Sequence, residues 1–276
     1  MVKTMDLTVL VDNLTMFPNL QGEYGLSLYI ENAPGNILMD TGQGFSLFSN
    51  AEQLGLDLSA LDHLVLSHGH FDHVGGVARF LTAKGDIPVW AHPDVTDSHT
   101  RLVNGKGHFI GCHMNTNALD LRPINGLTQI TENVWAIEVP ENRRDPLFKT
   151  RPAHLVVPGQ NKGEWELDPF VDDISLVIKG KKGLSVLLGC AHAGVVNILE
   201  EVARQFNTRL FHAVVGGMHI GDSSDEFINR VVDKLVSDFT VAKWRPSHCT
   251  GFKAAAALAT KVSDVSWAGA GTRISL

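Results

Sequence analysis

Between Ser67 and Gly76 the chain reads SHGHFDHVGG, with three histidines and an aspartate in the six residues from His68 to His73. The apolar run HLVLS (63–67) before it reads as a short buried strand, and VGGVARFLTA after it as a helix. The polar cluster therefore falls in the turn between two buried elements, where isolated imidazoles have little reason to gather. His68 and His70 sit two apart just after a strand, and extended backbone points both side chains the same way. Asp72 and His73 lie in the turn into the helix. One loop thus offers two imidazoles to one metal and a carboxylate plus an imidazole to a second. Gly69 is expected to relieve crowding between these ligands, and Gly75 and Gly76 to let the helix start press against the sheet. Imidazole nitrogen with carboxylate oxygen suits zinc, iron or manganese, and the residue types do not choose among them.

A catalytic metal needs about three protein ligands, so others must come from farther along the chain. VLLGCAHAG (186–194) puts His192 just past a strand end and before a helix, and PSHCTG (246–251) puts His248 in the same setting. Both repeat the strand–histidine–helix pattern of the first motif. VVGGMHI (214–220) places His219 at another strand end, as a metal ligand, a substrate contact or a proton donor. In NILMDTG (36–42), Asp40 stands at a strand end before a glycine turn, where a buried carboxylate can hold the ligand loop by hydrogen bonds. His63, His92, His99, His108, His113, His154 and His212 read as ordinary core or surface histidines, although His154 lies in a candidate lid.

The surrounding pattern alternates strands and helices. LTVLV (7–11), LSLYIE (26–31) and NILMD (36–40) are strands, the last two joined by a turn at Pro34-Gly35. A helix over 45–54 stops at Gly55, and IPVWA (87–91) is a further strand. Residues 92–132 and 140–172 are rich in Gly, Pro, Asn and His without lasting period. They read as two long loops, insertions covering the site, around a strand at 133–139. ISLVIKG and GLSVLLG form a hairpin around Gly180–Gly183, followed by a helix at 195–205, the strand LFHAVVGG, helices at 224–238 and 251–261, and a short strand near 244–247. Each half has strands first and helices after. This layout predicts two mixed sheets packed together with helices outside, a four-layer α/β sandwich. No linker marks a boundary, so residues 1–276 are expected to form one domain.

Composition narrows the partners. Lys and Arg number 23 against 30 Asp and Glu, a net charge of −7 with no sustained basic run, which disfavours nucleic acid and anionic membrane surfaces. No apolar stretch approaches the roughly 18–20 residues that span a bilayer. The opening MVKTMDLTVLVDN reads as a strand rather than a signal peptide. Three scattered cysteines, Cys112, Cys190 and Cys249, argue against a disulfide framework and for a reducing cytoplasm. A small-molecule substrate is the expected partner.

The motif His68-x-His70-x-Asp72-His73, preceded by MDTG and followed by later strand-end histidines, resembles the metallo-β-lactamase superfamily. TVLVDN, GEYGLSLYIE, ILMDTG, LGCAHAGVVN, VVGGMHI and PSHCTG together are similar to its dihydropterin-phosphate-synthase-like hydrolases, a subgroup named for a step of methanopterin synthesis. The resemblance runs from the N-terminus to about residue 251. It implies an αββα sandwich with one or two divalent transition metals, zinc foremost and manganese or iron as alternatives, at one edge. One departure stands out. Many members end a late strand with Gly-Asp-Thr, whose aspartate bridges two metals, whereas here Cys190 occupies the aspartate's place in Leu188-Gly189-Cys190. Asp172 and Asp173, before a strand near the same edge, are candidates to compensate. Cys190 and Cys249 read as small buried residues rather than ligands.

The resemblance implies a metal-dependent hydrolase with metal one on His68, His70 and His192, and metal two on Asp72, His73 and His248. A metal-activated water is the nucleophile, Asp72 orients it or takes its proton, and His219 binds substrate or protonates the leaving group. Arg143, Arg144 and Arg151, with Trp165, are expected to hold an anionic, partly aromatic substrate such as a phosphorylated pterin or nucleotide. A phosphodiester fits these best. An ester, lactone or thioester hydrolase, a di-iron redox protein and a non-catalytic sensor are the alternatives that the same fold admits.

Overall fold

The structure is a computed structural model that describes residues 5–32, 35–111, 114, 119–150, 152–161 and 163–276. Pro34, Cys112, His113 and Arg151, singled out above, lie outside the described residues. The chain begins with β1 (Asp6–Val11), β2 (Ser27–Glu31) and β3 (Asn36–Met39), and the pairing Leu28↔Met39 makes the expected antiparallel hairpin. Helix α1 (Leu47–Leu54) ends at Gly55, whose φ of 69° supplies the left-handed cap. It leads to β4 (Leu61–Val65), the four-residue α2 (Phe71–Val74), α3 (Val77–Lys84) and β5 (Val89–Ala91). Next come β6 (Thr100–Val103), β7 (Lys106–Phe109), β8 (Leu121–Pro123), β9 (Leu127–Thr131), β10 (Val134–Glu138), β11 (Leu155–Pro158) and β12 (Trp165–Leu167). The last third holds β13 (Ile174–Gly180), β14 (Gly183–Leu188), α4 (Val195–Phe206), β15 (Leu210–Gly216), α5 (Asp225–Asp238), β16 (Thr240–Pro246), α6 (Phe252–Ala259) and β17 (Arg273–Ser275).

These strands assort into two large mixed sheets, β17-β1-β2-β3-β4-β5-β8 and β16-β15-β14-β13-β10-β9. The parallel pairs β3·β4, β4·β5, β14·β15 and β15·β16 are those bridged by helices, because a parallel connection needs a long crossover. Side chains alternate as a doubly covered sheet requires. Leu28, Ile30, Met39 and Val65 face the other sheet and meet Leu176, Ile178, Leu187 and Val215 there. Their neighbours Tyr29, Leu38 and Leu64 face outward under α1 and α3, packing with Leu47 and Phe80. On the far side, Val186, Leu188 and Val214 lie under Leu199 and Val202 of α4 and Val231 and Leu235 of α5. The order helix, sheet, sheet, helix is the four-layer sandwich the sequence predicts.

The two stretches expected to be loops are instead largely paired. β6, β7, β11 and β12 make a separate antiparallel sheet, β12-β11-β6-β7, while β8 and β9 extend the two main sheets. Each of these strands has three to five residues and most are exposed, so no amphipathic period develops. The decisive pairing, Thr100↔Val156, joins segments more than fifty residues apart, which leaves no local signal.

Candidate metal centre

The parallel strands deliver their C-terminal ends to one edge of the sandwich, where crevices of α/β sheets commonly bind ligands. Asp40 follows β3, His68 and His70 follow β4, Cys190 and His192 follow β14, His219 follows β15 and His248 follows β16. Several of these turns are strained. Asp40 (φ 62°), Phe170 (φ 49°), Ala191 (φ 56°), His219 (φ 48°) and His248 (φ 48°) are non-glycine residues in the left-handed region. Such conformations cost on the order of 1–3 kcal/mol each and persist where surrounding packing dictates them.

Two groups of donors abut. Side-chain nitrogens of His68, His70 and His192 lie within 4.8 Å of one another, all buried. Their rings stand 4.6 Å (His68–His70), 4.8 Å (His68–His192) and 5.0 Å (His70–His192) apart, and Phe170 stacks on His192 at 3.9 Å. Beside them, His73 Nε2 is 3.2 Å from His248 Nε2 and 3.1 Å from Cys190 Sγ, and Asp72 Oδ2 is 3.4 Å from His248 Nε2. The structure thus brings together all six residues expected to hold metals. It also places the Cys190 thiol among them, which a reading as mere small filler does not capture. His219 joins the edge of the cluster, half-buried, with its ring 4.3 Å from that of His192.

The donors are aimed by their outer nitrogens. Asp40, fully buried, accepts from Ser67 N at 2.7 Å and Ser67 Oγ at 2.6 Å, and its Oδ2 stands 2.6 Å from His73 Nδ1. With that Nδ1–H donated to the carboxylate, Nε2 turns its lone pair to the cluster. Ser67 Oγ lies 2.9 Å from His68 Nδ1. At the end of β1, Asp12 accepts from His248 N at 2.7 Å and Asn13 Oδ1 lies 2.9 Å from His248 Nδ1. The sequence reading overlooked this pair, although VDN ends its strand just as MDTG does.

Asp172 and Asp173, the candidates to compensate for a bridging carboxylate, each use one oxygen on the backbone and leave Oδ1 buried without a hydrogen-bond partner. Asp172 accepts from Gly69 N at 2.7 Å, and Asp173 from Ala193 N at 3.0 Å, so each grips the backbone beside a histidine. His99 is no ordinary histidine. It is buried, with Nδ1 2.6 Å from Asp168 and Nε2 3.2 Å from Asp172, and its ring is 4.9 Å from that of His70. Nothing local in TDSHT announces this, because its partners lie about seventy residues away. Gly69 serves a different neighbour from the one expected: a Cβ there would meet Val95 O at 2.1 Å. The segment leading to His99 lies directly over the histidine loop.

Electrostatics divide the donors. Burial, then the surrounding imidazoles, hold His68 and His192 well below the usual histidine range. Burial and His99 push His70 down to about 3. Burial works the same way on His73, but Asp40 outweighs it and raises this imidazole to about 9. Asp72 is lowered despite burial, through His248 and His73. Burial pushes the Cys190 thiol up. A cation is the partner this donor set suits. His68 Nε2, His70 Nε2 and both ring nitrogens of His192 are buried without any hydrogen-bond partner, a costly condition unless the lone pairs are coordinated. The residues fit a divalent metal.

Of the arginines expected to hold substrate, Arg143 and Arg144 are engaged elsewhere. Arg144 is buried, donating from Nε to Val139 O (2.7 Å) and from Nη1 to Pro169 O (3.0 Å) and Phe170 O (2.9 Å). Arg143 pairs with Glu201 of α4 at 2.9 Å. Trp165, on β12, lies over Gly107 of β7, where a Cβ would meet the indole at 2.5 Å.

A profile of the Metallo-beta-lactamase superfamily matches residues 20–192, more than half of the chain and the whole of the histidine motif. The chain belongs to this superfamily. Membership implies divalent metal binding, and the donor groups above are candidates to provide it. It is 27% identical over 245 residues to the 7,8-dihydropterin-6-methyl-4-(β-D-ribofuranosyl)-aminobenzene-5′-phosphate synthase of Methanocaldococcus jannaschii, covering 84% of this chain and 82% of that one. An uncharacterized protein of the same organism is 28% identical over 268 residues, 90% of this chain and 91% of the relative. Among solved structures, Tm1679, described as a metal-dependent hydrolase of the β-lactamase superfamily, superposes with a TM-score of 0.83 at 28% identity and 99% coverage of both chains. A diphosphatase of the PhnP family shares the fold, with a TM-score of 0.56 at 12% identity. Among the described residues, no helix is long and apolar enough to cross a membrane.

Proposed function

We propose that this metallo-β-lactamase-superfamily chain is a metal-dependent hydrolase acting on a phosphoester, most readily a phosphodiester, or a related anionic small molecule of pterin or nucleotide type. The observation that carries the reading is the pair of abutting donor groups, one of which leaves four imidazole nitrogens buried and unpartnered. His68, His70 and His192 would hold one cation, and Asp72, His73 and His248, with Cys190 in reach, a second. When bound, such cations, zinc before manganese or iron, supply an acidified water and polarise the scissile group's oxygen.

The chain's own groups do the rest. Asp72 accepts a proton from, or orients, the attacking water, since its carboxylate stays ionised. Asp40 and Asn13 fix which nitrogen of His73 and His248 faces inward. His219, half-exposed beside His192, contacts substrate or protonates the leaving group. The small sheet formed by β6, β7, β11 and β12 serves as the cover of the site within a single domain. Support for the substrate class comes from the relative named for a phosphate-bearing dihydropterin product, and for the reaction class from the hydrolase Tm1679.

The test is metal analysis coupled to a screen of phosphodiesters, phosphomonoesters and lactones, with His68→Ala as control. The expected result is one or two divalent metals per chain and phosphodiesterase activity that His68→Ala loses together with metal. If His68→Ala loses metal yet retains every hydrolytic activity, the proposal fails. Bound iron with visible absorbance and no hydrolysis would instead establish a redox centre.

A further inference from the structure

We propose that Arg101, on the covering sheet, forms a second anion subsite, which recognises a carboxylate or phosphate of the substrate remote from the bond that is cleaved. The inference rests on the hydrolase reading and deepens it.

Arg101 is placed by the strand that also carries His99 inward. Ile110 N donates to His99 O at 2.9 Å, continuing the β6·β7 ladder in which Thr100 faces Phe109, so His99 lies on extended backbone. Residues two apart in such a ladder share a face. His99 on that face is buried against the His70 ring at 4.9 Å. Arg101, one step farther out, is exposed on the same side, and its neighbour Leu102 N donates to His154 O at 2.7 Å.

The face that carries His99 to the His70 ring therefore continues outward through Arg101. Its field reaches the phenol of Tyr24, whose ring stands edge-on to His248 at 5.4 Å, and the imidazole of His154, which also feels His219 and Asp222. These mutually interacting groups come from β6, from the loop after β1, from the segment before β11 and from the loop after β15. Among the described residues its guanidinium has no hydrogen-bond or ion-pair partner, whereas Arg143, Arg144 and Arg245 are all engaged with oxygens. An unpaired guanidinium presents several N–H donors and no acceptor. That chemistry suits a carboxylate or phosphate, held by the planar fork of arginine.

The test separates this subsite from the metals by using two non-hydrolysable phosphonates that differ only in a remote anion. Phenylphosphonate and 4-phosphonobenzoate are titrated calorimetrically into the zinc-loaded protein, its Arg101→Ala and Arg101→Lys variants, and His68→Ala. The wild type is expected to bind 4-phosphonobenzoate about tenfold more tightly than phenylphosphonate. Arg101→Ala should erase that preference while leaving metal content and phenylphosphonate affinity unchanged, and Arg101→Lys should restore part of it. An equal preference in wild type and Arg101→Ala, or none in the wild type, overturns the subsite and leaves the hydrolase reading standing. An Arg101-dependent preference in a protein without hydrolytic activity supports the subsite and sinks the hydrolase reading alone.

Discussion

Replacing Asp40 with Asn tests whether the centre depends on the orientation of His73. The carboxylate accepts from the Ser67 amide at 2.7 Å and the Ser67 hydroxyl at 2.6 Å, and holds His73 Nδ1 at 2.6 Å, with no exposure to solvent. Only an acceptor at both oxygens satisfies all three. Asparagine keeps the shape and one oxygen, but its NH2 group faces groups that now must accept. If Nδ1 of His73 accepts, the ring proton moves to Nε2, the nitrogen 3.1 Å from Cys190 Sγ and 3.2 Å from His248 Nε2. A hydrogen there stands where a cation would be held. Changes of this kind cost roughly 10–100-fold in metal affinity, about 1.4–2.7 kcal/mol. Leaving one buried hydrogen-bonding group unmatched costs about 1–3 kcal/mol of fold stability. Zinc titration against a chromophoric chelator, beside thermal melts of the metal-free protein, measures the two separately. The reasoning is refuted if Asp40→Asn binds zinc within twofold of wild type at every site while remaining folded.

Removing the metal with a chelator should lower the melting temperature by roughly 5–10 °C, because a cation at about 100 times its Kd adds about 2.7 kcal/mol; an unchanged melt would mean that the unpartnered imidazoles need no cation. Arg144→Ala should cost about 2–4 kcal/mol in urea unfolding, since three carbonyl contacts lose their donor, and should leave KM unaltered; a raised KM with normal stability would return Arg144 to the substrate site. Gly69→Ala should destabilise by about 1–3 kcal/mol, because the added methyl meets the backbone oxygen of Val95 rather than a movable side chain; a change below about 0.5 kcal/mol in the same assay contradicts that contact.

How much of this protein is legible in the chain depends on the range over which each residue finds its partners. Strand period, glycine stops and the ligand turn at 67–76 are local, so the alternating order, the stop at Gly55 and the histidine motif follow from neighbours in sequence. The repeated strand–histidine–helix pattern also singled out His192 and His248, because parallel strands with crossover helices bring their C-terminal ends to one edge. Sequence alone therefore determined the sandwich and the kind of centre it carries.

Tertiary structure decided the rest. The sheet made by β6, β7, β11 and β12 exists through pairing between distant three- and four-residue strands, too short to show a period. His99 gains its place from Asp168 and Asp172, and Arg144 its bracing role from carbonyls on both sides of it in the chain. Asp172, a candidate from sequence for a bridging carboxylate, has one oxygen committed to Gly69 N and His99 Nε2, which no local signal announces. In each case the residue type was visible, but the direction of a buried charge is set by whichever groups the fold places within about 3 Å of it, since only those hydrogen bonds offset its loss of water.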